Sequence, residues 1–336
     1  MLISDSSRSG WNFNLSRLPR AAVWASIALA GCLIPALAPA VGRLYQVREV
    51  KPHVFVWVPE DIIEPDADPQ YGRAGNAGFV VTSEGVVVVD ATNSPYHARE
   101  VLYEIREKTD QPVRYLIDTG AAGDEVLGNE VFADLEAQIV STPAIQGQMR
   151  SRAEALAETP GGSAASNHRL RGIHITPPNQ TFQGEEEFSL GGQTVRLVAF
   201  DPSLHAVAVR LPVARVVFLG DLFQNQYFPR LESRDVRRWI DALRQAESWN
   251  AEVYVPGHGD PGGVKEVAEF RHFLEWVTNE VQTRLAEGKS LEQIKQELAF
   301  DNYPWHAHEL AAHLVEGIYE QLGGGAGKPK AQNPGQ

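Results

Sequence analysis

The segment that most limits how this chain can fold is Gly85-Val86-Val87-Val88-Val89-Asp90. A strand with no polar position has no solvent face, so both of its faces must be covered. The next segment, Pro95–Lys108, has helical spacing, with Ala98, Val101, Leu102 and Ile105 on one side. Val113–Asp118 reads as the following strand, and a second run repeats the alternation: strands at Ala206–Leu211 and Val216–Leu219, a helix at Val236–Ser248, and a strand at Val253–Val255. Gln138–Ser141 adds a short strand and Ala144–Glu158 a helix. Hairpins interrupt the alternation. Gly78–Thr82 turns into the valine strand at Ser83-Glu84-Gly85, and Glu187–Leu190 turns into Thr194–Phe200 at Gly191-Gly192. Val54–Val58 reads as the first strand, and Asp61–Ala74 and Pro160–Ser166 as loops. Two runs of this kind predict an α/β fold, a sandwich of two mixed sheets with helices outside.

The chemistry-bearing stretch follows Val113–Ile117 and reads Asp118-Thr119-Gly120-Ala121-Ala122-Gly123-Asp124-Glu125-Val126-Leu127-Gly128-Asn129, opening into a predicted helix. It resembles the metal-binding loop of the metallo-β-lactamase superfamily, T-H-x-H-x-D-H-x-x-G-N. Thr119, Asp124, Gly128 and Asn129 keep the frame, whereas Gly120, Ala122 and Glu125 stand at the three histidine positions. Two later segments also match. Val217-Phe218-Leu219-Gly220-Asp221-Leu222 resembles the segment with the family's bridging aspartate, and Val255-Pro256-Gly257-His258-Gly259-Asp260 the one with its late histidine. The resemblance covers residues 48–263 and implies an αββα metallo-β-lactamase-like sandwich, with a helical C-terminal extension over 264–322.

Complete members of that family hold two ions, usually zinc, which polarise the substrate and turn a bound water into hydroxide at neutral pH. Gly120 and Ala122 carry no ligating side-chain atom, and the position of the family's third histidine falls near Pro202. His205 lies three residues away and, with Asp201, is the nearest alternative; a shortened loop would be needed to turn either inward. The first site is therefore expected to be lost. The second keeps a ligand-type residue at each position: Asp124, Glu125, Asp221 and His258. Three carboxylates and one imidazole favour manganese, iron(II) or magnesium over zinc. The expected cofactor is one divalent ion (manganese, iron or zinc) or none. In the first case the chain is a single-metal hydrolase with Asp124 or Glu125 as general base. In the second it is a catalytically inactive relative that binds a ligand or a protein, Asp124 and Asp221 serve only to hold loops, and the clustered carboxylates need a counter-ion or a raised pKa.

Other signals are narrower. A net charge of −13 argues against a nucleic-acid partner. The single cysteine, Cys32, excludes an internal disulfide. Arg8, Arg17 and Arg20 precede the apolar run Ala21–Val41, so residues 1–41 are expected to export the chain as a cleaved signal, a lipid anchor at Cys32 or a membrane anchor. The expected location is periplasmic or membrane-anchored, with a small-molecule substrate or ligand. The helical extension suggests a packing appendage or a homodimer surface, and residues 323–336 read as a disordered tail. His272, His306, His308 and His313 read as structural and remote from the loop. No G-x-S-x-G elbow occurs, and Gly72-Arg73-Ala74-Gly75 lacks the setting of a phosphate loop.

Overall fold

A computed structural model describes residues 44–60, 73–158, 173–231 and 234–323. The N-terminal segment 1–41, the Pro160–Ser166 loop, most of the Asp61–Ala74 loop and the tail beyond 323 lie outside the described residues. The first sheet is β1 (Tyr45–Lys51), β2 (Val54–Pro59), β3 (Ala77–Val81), β4 (Val86–Val89), β5 (Val113–Ile117), β6 (Gln138–Ser141) and β7 (Gln180–Thr181), in that spatial order. Pairing is antiparallel from β1 to β4 and parallel from β4 to β7. The second sheet runs β12-β11-β10-β9-β8, from β8 (Glu185–Leu190), β9 (Gln193–Ala199), β10 (Val207–Leu211), β11 (Val216–Gln224) and β12 (Val253–His258). Only β11 and β12 pair in parallel there.

The valine strand shows why the layers stack as they do. Val87 and Val89 enter the core between the sheets, with Val56, Ile117, Leu197, Val209 and Phe218. Val86 and Val88 point the other way, onto α1 (Pro95–Arg106) through Ala98, Val101 and Ile105. Alternation along a strand thus feeds two cores at once. Ser94 caps α1 by accepting the His97 N–H, and Pro95 opens it, where its missing N–H costs nothing. At the β8–β9 hairpin Gly191 and Gly192 both have positive φ, 51° and 82°, as a tight two-residue turn requires.

The outer face of the second sheet is covered by α5 (Val236–Glu247) and by three helices beyond β12: α6 (Val264–Ala286), α7 (Leu291–Glu297) and α8 (Ala311–Gln321). Between α1 and α5 lie α2 (Gly123–Val126), α3 (Asn129–Ala133) and α4 (Pro143–Glu158). The apolar stripe of α6, including Phe270, Phe273 and Val277, packs with Trp239, Phe228 and Phe300 in one aromatic core. Among the described large apolar side chains on these three C-terminal helices, only Val264 is more than a third exposed. No described helix is long and apolar enough to cross a membrane.

Four expectations need correction. Val54–Val58 is not the first strand, because β1 precedes it at the sheet edge. Its Gln46, Arg48 and Glu49 hid it, and charge of this kind protects an open edge. The helix expected after the loop is two short ones, α2 and α3. Within the extension expected over 264–322, the last α-helix begins only at Ala311, after Ala307 at φ 58° and a 3-10 turn at His308–Leu310. Finally, β11 and β12 run on past Leu219 and Val255 to Gln224 and His258, which draws Asp221 and His258 into the sheet.

Candidate metal centre and its arginine counter-ions

The site assembles at the carboxyl ends of β5, β11 and β12, where strand ends and following loops gather polar groups from distant parts of a chain. Asp124 enters on α2, just after β5. Asp221 follows a break in β11 register at Gly220, whose φ is 50°. His258 closes β12. One ligand atom from each of Asp124, Asp221 and His258 lies within 4.8 Å of the others. His258 Nε2 is 2.9 Å from Asp124 Oδ2 and 3.8 Å from Asp221 Oδ1. All three residues are buried.

Glu125, the fourth sequence candidate, is placed differently. Its carboxylate accepts the Ala122 N–H at 3.0 Å and the Asp221 N–H at 3.3 Å, so it ties the metal loop to β11. It also fills the volume beside residue 120: a Cβ there would overlap Glu125 Oε2 and lie 2.8 Å from its Cδ. Glycine at a histidine position and an inward-turned glutamate are thus one arrangement. Thr119 Oγ1 stands 3.3 Å from Glu125 Oε1 and 2.7 Å from Asp90 Oδ2. A hydroxyl has one hydrogen, so it can donate to only one of these acids. Burial, followed by the nearby Asp221, Asp90 and Asp124, pushes the Glu125 carboxyl well above the usual range. A protonated Glu125 donating to Thr119, which in turn donates to Asp90, satisfies the whole row. Burial also pushes Asp90 up to about 7, against the opposing hydrogen bonds from Thr119. Asp118 is raised by burial and by Asp90, and accepts from Asn129 Nδ2 at 2.9 Å.

The counter-ions are residues that sequence reasoning missed. Arg230 donates from Nη2 to Asp124 Oδ2, the oxygen that also faces His258. Arg234 Nη2 is 3.8 Å from Asp221 Oδ2. Arg234 is itself buried, donates to the carbonyls of Leu204 and Arg230, and lies over the Trp239 ring. Burial alone would raise Asp124, but the Arg230 charge and the His258 hydrogen bond outweigh it and hold the carboxyl well below its ordinary range. Asp221 is raised, by burial and by Asp124, with His258 and both arginines opposing. The signal was present in the Pro229-Arg230-Leu231 and Arg234-Asp235 segments, but an arginine between a strand and a helix is ordinarily solvated and nothing marks it as turning inward.

The donors do not fit the family's two-ion centre. The first-site positions are Gly120 and Ala122, and Glu125 crowds the space beside them. Asp201 is committed to the Ser203 N–H and to Arg238, and His205 caps the 3-10 turn Pro202–Leu204 beside Phe182 and Pro143; neither joins the cluster. A single ion is another matter. Two carboxylates and an imidazole are ligands of the right kind, and Asp124 Oδ1 is buried with no hydrogen-bond partner among the described residues.

One face of the centre meets solvent. His258 reaches a cleft of about 1100 Å³, whose wall continues through Tyr227 and His306. The Tyr227 ring stacks on His306 at 4.8 Å and tilts against His258 at 5.6 Å. His306 is held by backbone bonds to Gln226 and Phe228. The expectation that His306 lies remote from the site is therefore corrected: the C-terminal extension folds back to wall the cleft. His308 keeps a structural place, edge-on to Phe228.

Comparison with known proteins agrees with this architecture. The family model described as the metallo-beta-lactamase superfamily matches residues 71–258. A linear primary-alkylsulfatase from Pseudomonas sp. (strain ATCC 19151) is 24% identical over 230 residues, 57% of this chain and 42% of that protein. The chain thus spans about two-fifths of the length of that curated relative. A metallo-beta-lactamase from Pontibacter korlensis superposes with a TM-score of 0.54 at 20% identity, covering 69% of this chain and 99% of its own. One from Hirschia baltica gives 0.53 at 15% identity, covering 68% and 97%. With the αββα sandwich, the loop frame and the strand-end acids all in place, the chain belongs to the metallo-β-lactamase superfamily, a hydrolase-like family.

Proposed function

We propose that this protein is a hydrolase relative that has replaced the metal charge of its centre with arginine and uses the cleft to bind a ligand without turning it over. The observation that carries this reading is Arg230 on Asp124, with His258 on the same oxygen. A divalent ion would have to take that oxygen from a guanidinium that already neutralises it. A fixed guanidinium compensates the carboxylate but does not make hydroxide at neutral pH, which is the ion's contribution to hydrolysis in this family. Glu125, well above its usual pKa and enclosed, is poorly suited to be a base, and Asp124, held well below its own, is a weak one.

A second reading rests on the grouping of Asp124, Asp221 and His258 and on the unpartnered Asp124 Oδ1. In it these three residues would hold one ion, which would supply Lewis acidity and activate a water, and Arg230 beside Asp124 would orient an anionic substrate. Esters, lactones and phosphodiesters would be the classes to screen, with sulfate esters added by the name of the curated relative. Elemental analysis of the full chain, purified without chelator and again after soaking in manganese, iron or zinc, separates the two. The first reading expects no stoichiometric metal. A near-stoichiometric ion that disappears in Asp221→Ala replaces it with the second. The N-terminal apolar run supports export under either reading; recovery of the full chain from the cytosolic fraction of its host would overturn that placement.

A further inference from the structure

We infer that the cleft beside His258 is a site for a small organic cation, an ammonium or guanidinium on a flat or apolar body. This deepens the ligand-binding reading of the same cleft and rests on it. Six carboxylates line the cleft against three cations. Each of the cations is spoken for: Arg48 pairs with Asp260 at 2.9 Å, Lys265 with Glu269 at 3.3 Å, and Arg73 with Glu309. Glu252 is matched by Lys51 and Arg215 from outside the lining. Glu49, Glu60 and Glu266 remain with no cationic partner among the described residues. An entering cation meets uncompensated negative potential focused by a concave wall, within a chain whose net charge is already −13.

A second feature points to the same ligand. The stacked Tyr227 and His306 rings in the lining offer an aromatic surface, and a cation over an aromatic face is attracted by the ring quadrupole. A carboxylate ligand would find no unpaired arginine or lysine among the described residues of the lining and would be repelled by the same field.

The test is titration calorimetry on the full chain with three isosteric probes: benzylammonium, benzyl alcohol and benzoate. Benzylammonium should bind at least about tenfold more tightly than either congener, and more weakly as salt is raised. Glu60→Gln and Tyr227→Leu should each weaken it about threefold to tenfold, while Glu60→Gln leaves benzyl alcohol unaffected. Glu60→Gln is conservative at an exposed position, so it keeps the test independent of folding. Tighter binding of benzoate or benzyl alcohol overturns the proposal. So does no benzylammonium binding at millimolar concentration, or benzylammonium binding that both variants leave unchanged. Metal analysis of the same sample keeps the two ideas apart: a metal-bearing protein that binds benzylammonium refutes the arginine-neutralised reading and leaves the cation site standing.

Discussion

Replacing Arg230 by glutamine removes the guanidinium from Asp124 and leaves a fully buried carboxylate with His258 as its remaining partner. Breaking one side of a buried ion pair costs about 3–5 kcal/mol, because the other charge stays desolvated. The cost here should fall somewhat below that, at about 2–4 kcal/mol, since His258 Nε2 still reaches the same oxygen at 2.9 Å and the Arg230 side chain is 16% exposed. For a chain of this size that lowers Tm by roughly 3–6 °C. The pH dependence carries its own sign. Asp124 titrates below its unfolded value, so its contribution to stability is present above about pH 4 and is lost as pH falls toward the folded pKa. Without Arg230 the folded pKa rises, so the gap between wild type and variant should be wide at pH 7 and narrow below about pH 4. The assay is thermal and urea unfolding of both proteins from pH 3 to 8, with and without added zinc or manganese. If Arg230 stands in for an ion, the variant should be stabilised by added metal and the wild type should not. An ion at a hundredfold excess over its Kd restores about 2.7 kcal/mol. Equal stability of the two proteins at pH 7, or metal stabilisation confined to the wild type, would refute the reasoning.

Two further substitutions probe the acids around the loop. Gly120→Ala puts a Cβ into the Glu125 carboxylate and should destabilise by about 1–3 kcal/mol, as overpacking does; combining it with Glu125→Ala should recover part of the loss, a non-additivity read from a double-mutant cycle in urea. Asp90→Asn keeps an acceptor for the Thr119 N–H, offers Thr119 Oγ1 a donor and suits the positive φ of 60°. Asp90 titrates at about 7 in the fold, so its contribution is full below the unfolded pKa near 4 and is lost as pH rises to 7; the variant should flatten that slope, and an unchanged slope would remove Asp90 as its source.

Much of the fold was legible because hydrophobic period and turn chemistry are local. The valine strand with no polar face, the α1 stripe and the Gly191-Gly192 turn each predict their own structure and together a two-sheet sandwich. The edge strand β1 escaped because the charges that protect an edge erase the apolar signal. Within the site, resemblance to the family's motifs sufficed to see that Gly120 and Ala122 bring no ligand and to single out Asp124, Glu125, Asp221 and His258, of which Asp124, Asp221 and His258 come together.

What the sequence by itself determined, then, is the sandwich, the absence of first-site imidazoles, and a candidate set of four residues, Asp124, Glu125, Asp221 and His258, without saying which of them meet. Tertiary structure alone decided what surrounds them. Glu125 could have faced a metal; its side chain turns to the Ala122 and Asp221 amides, because residue 120 leaves room and two buried N–H groups need acceptors. Arg230 is 106 residues from Asp124, and no local pattern marks which of the chain's arginines will turn inward. His306 arrives from beyond β12 because the aromatic faces of the C-terminal helices need the outer sheet to cover them, and that packing carries the following loop to the cleft. Backbone propensity and hydrophobic period act over a few residues, whereas charge compensation acts through space, so the ionic character of the centre was settled only when the strands were in register.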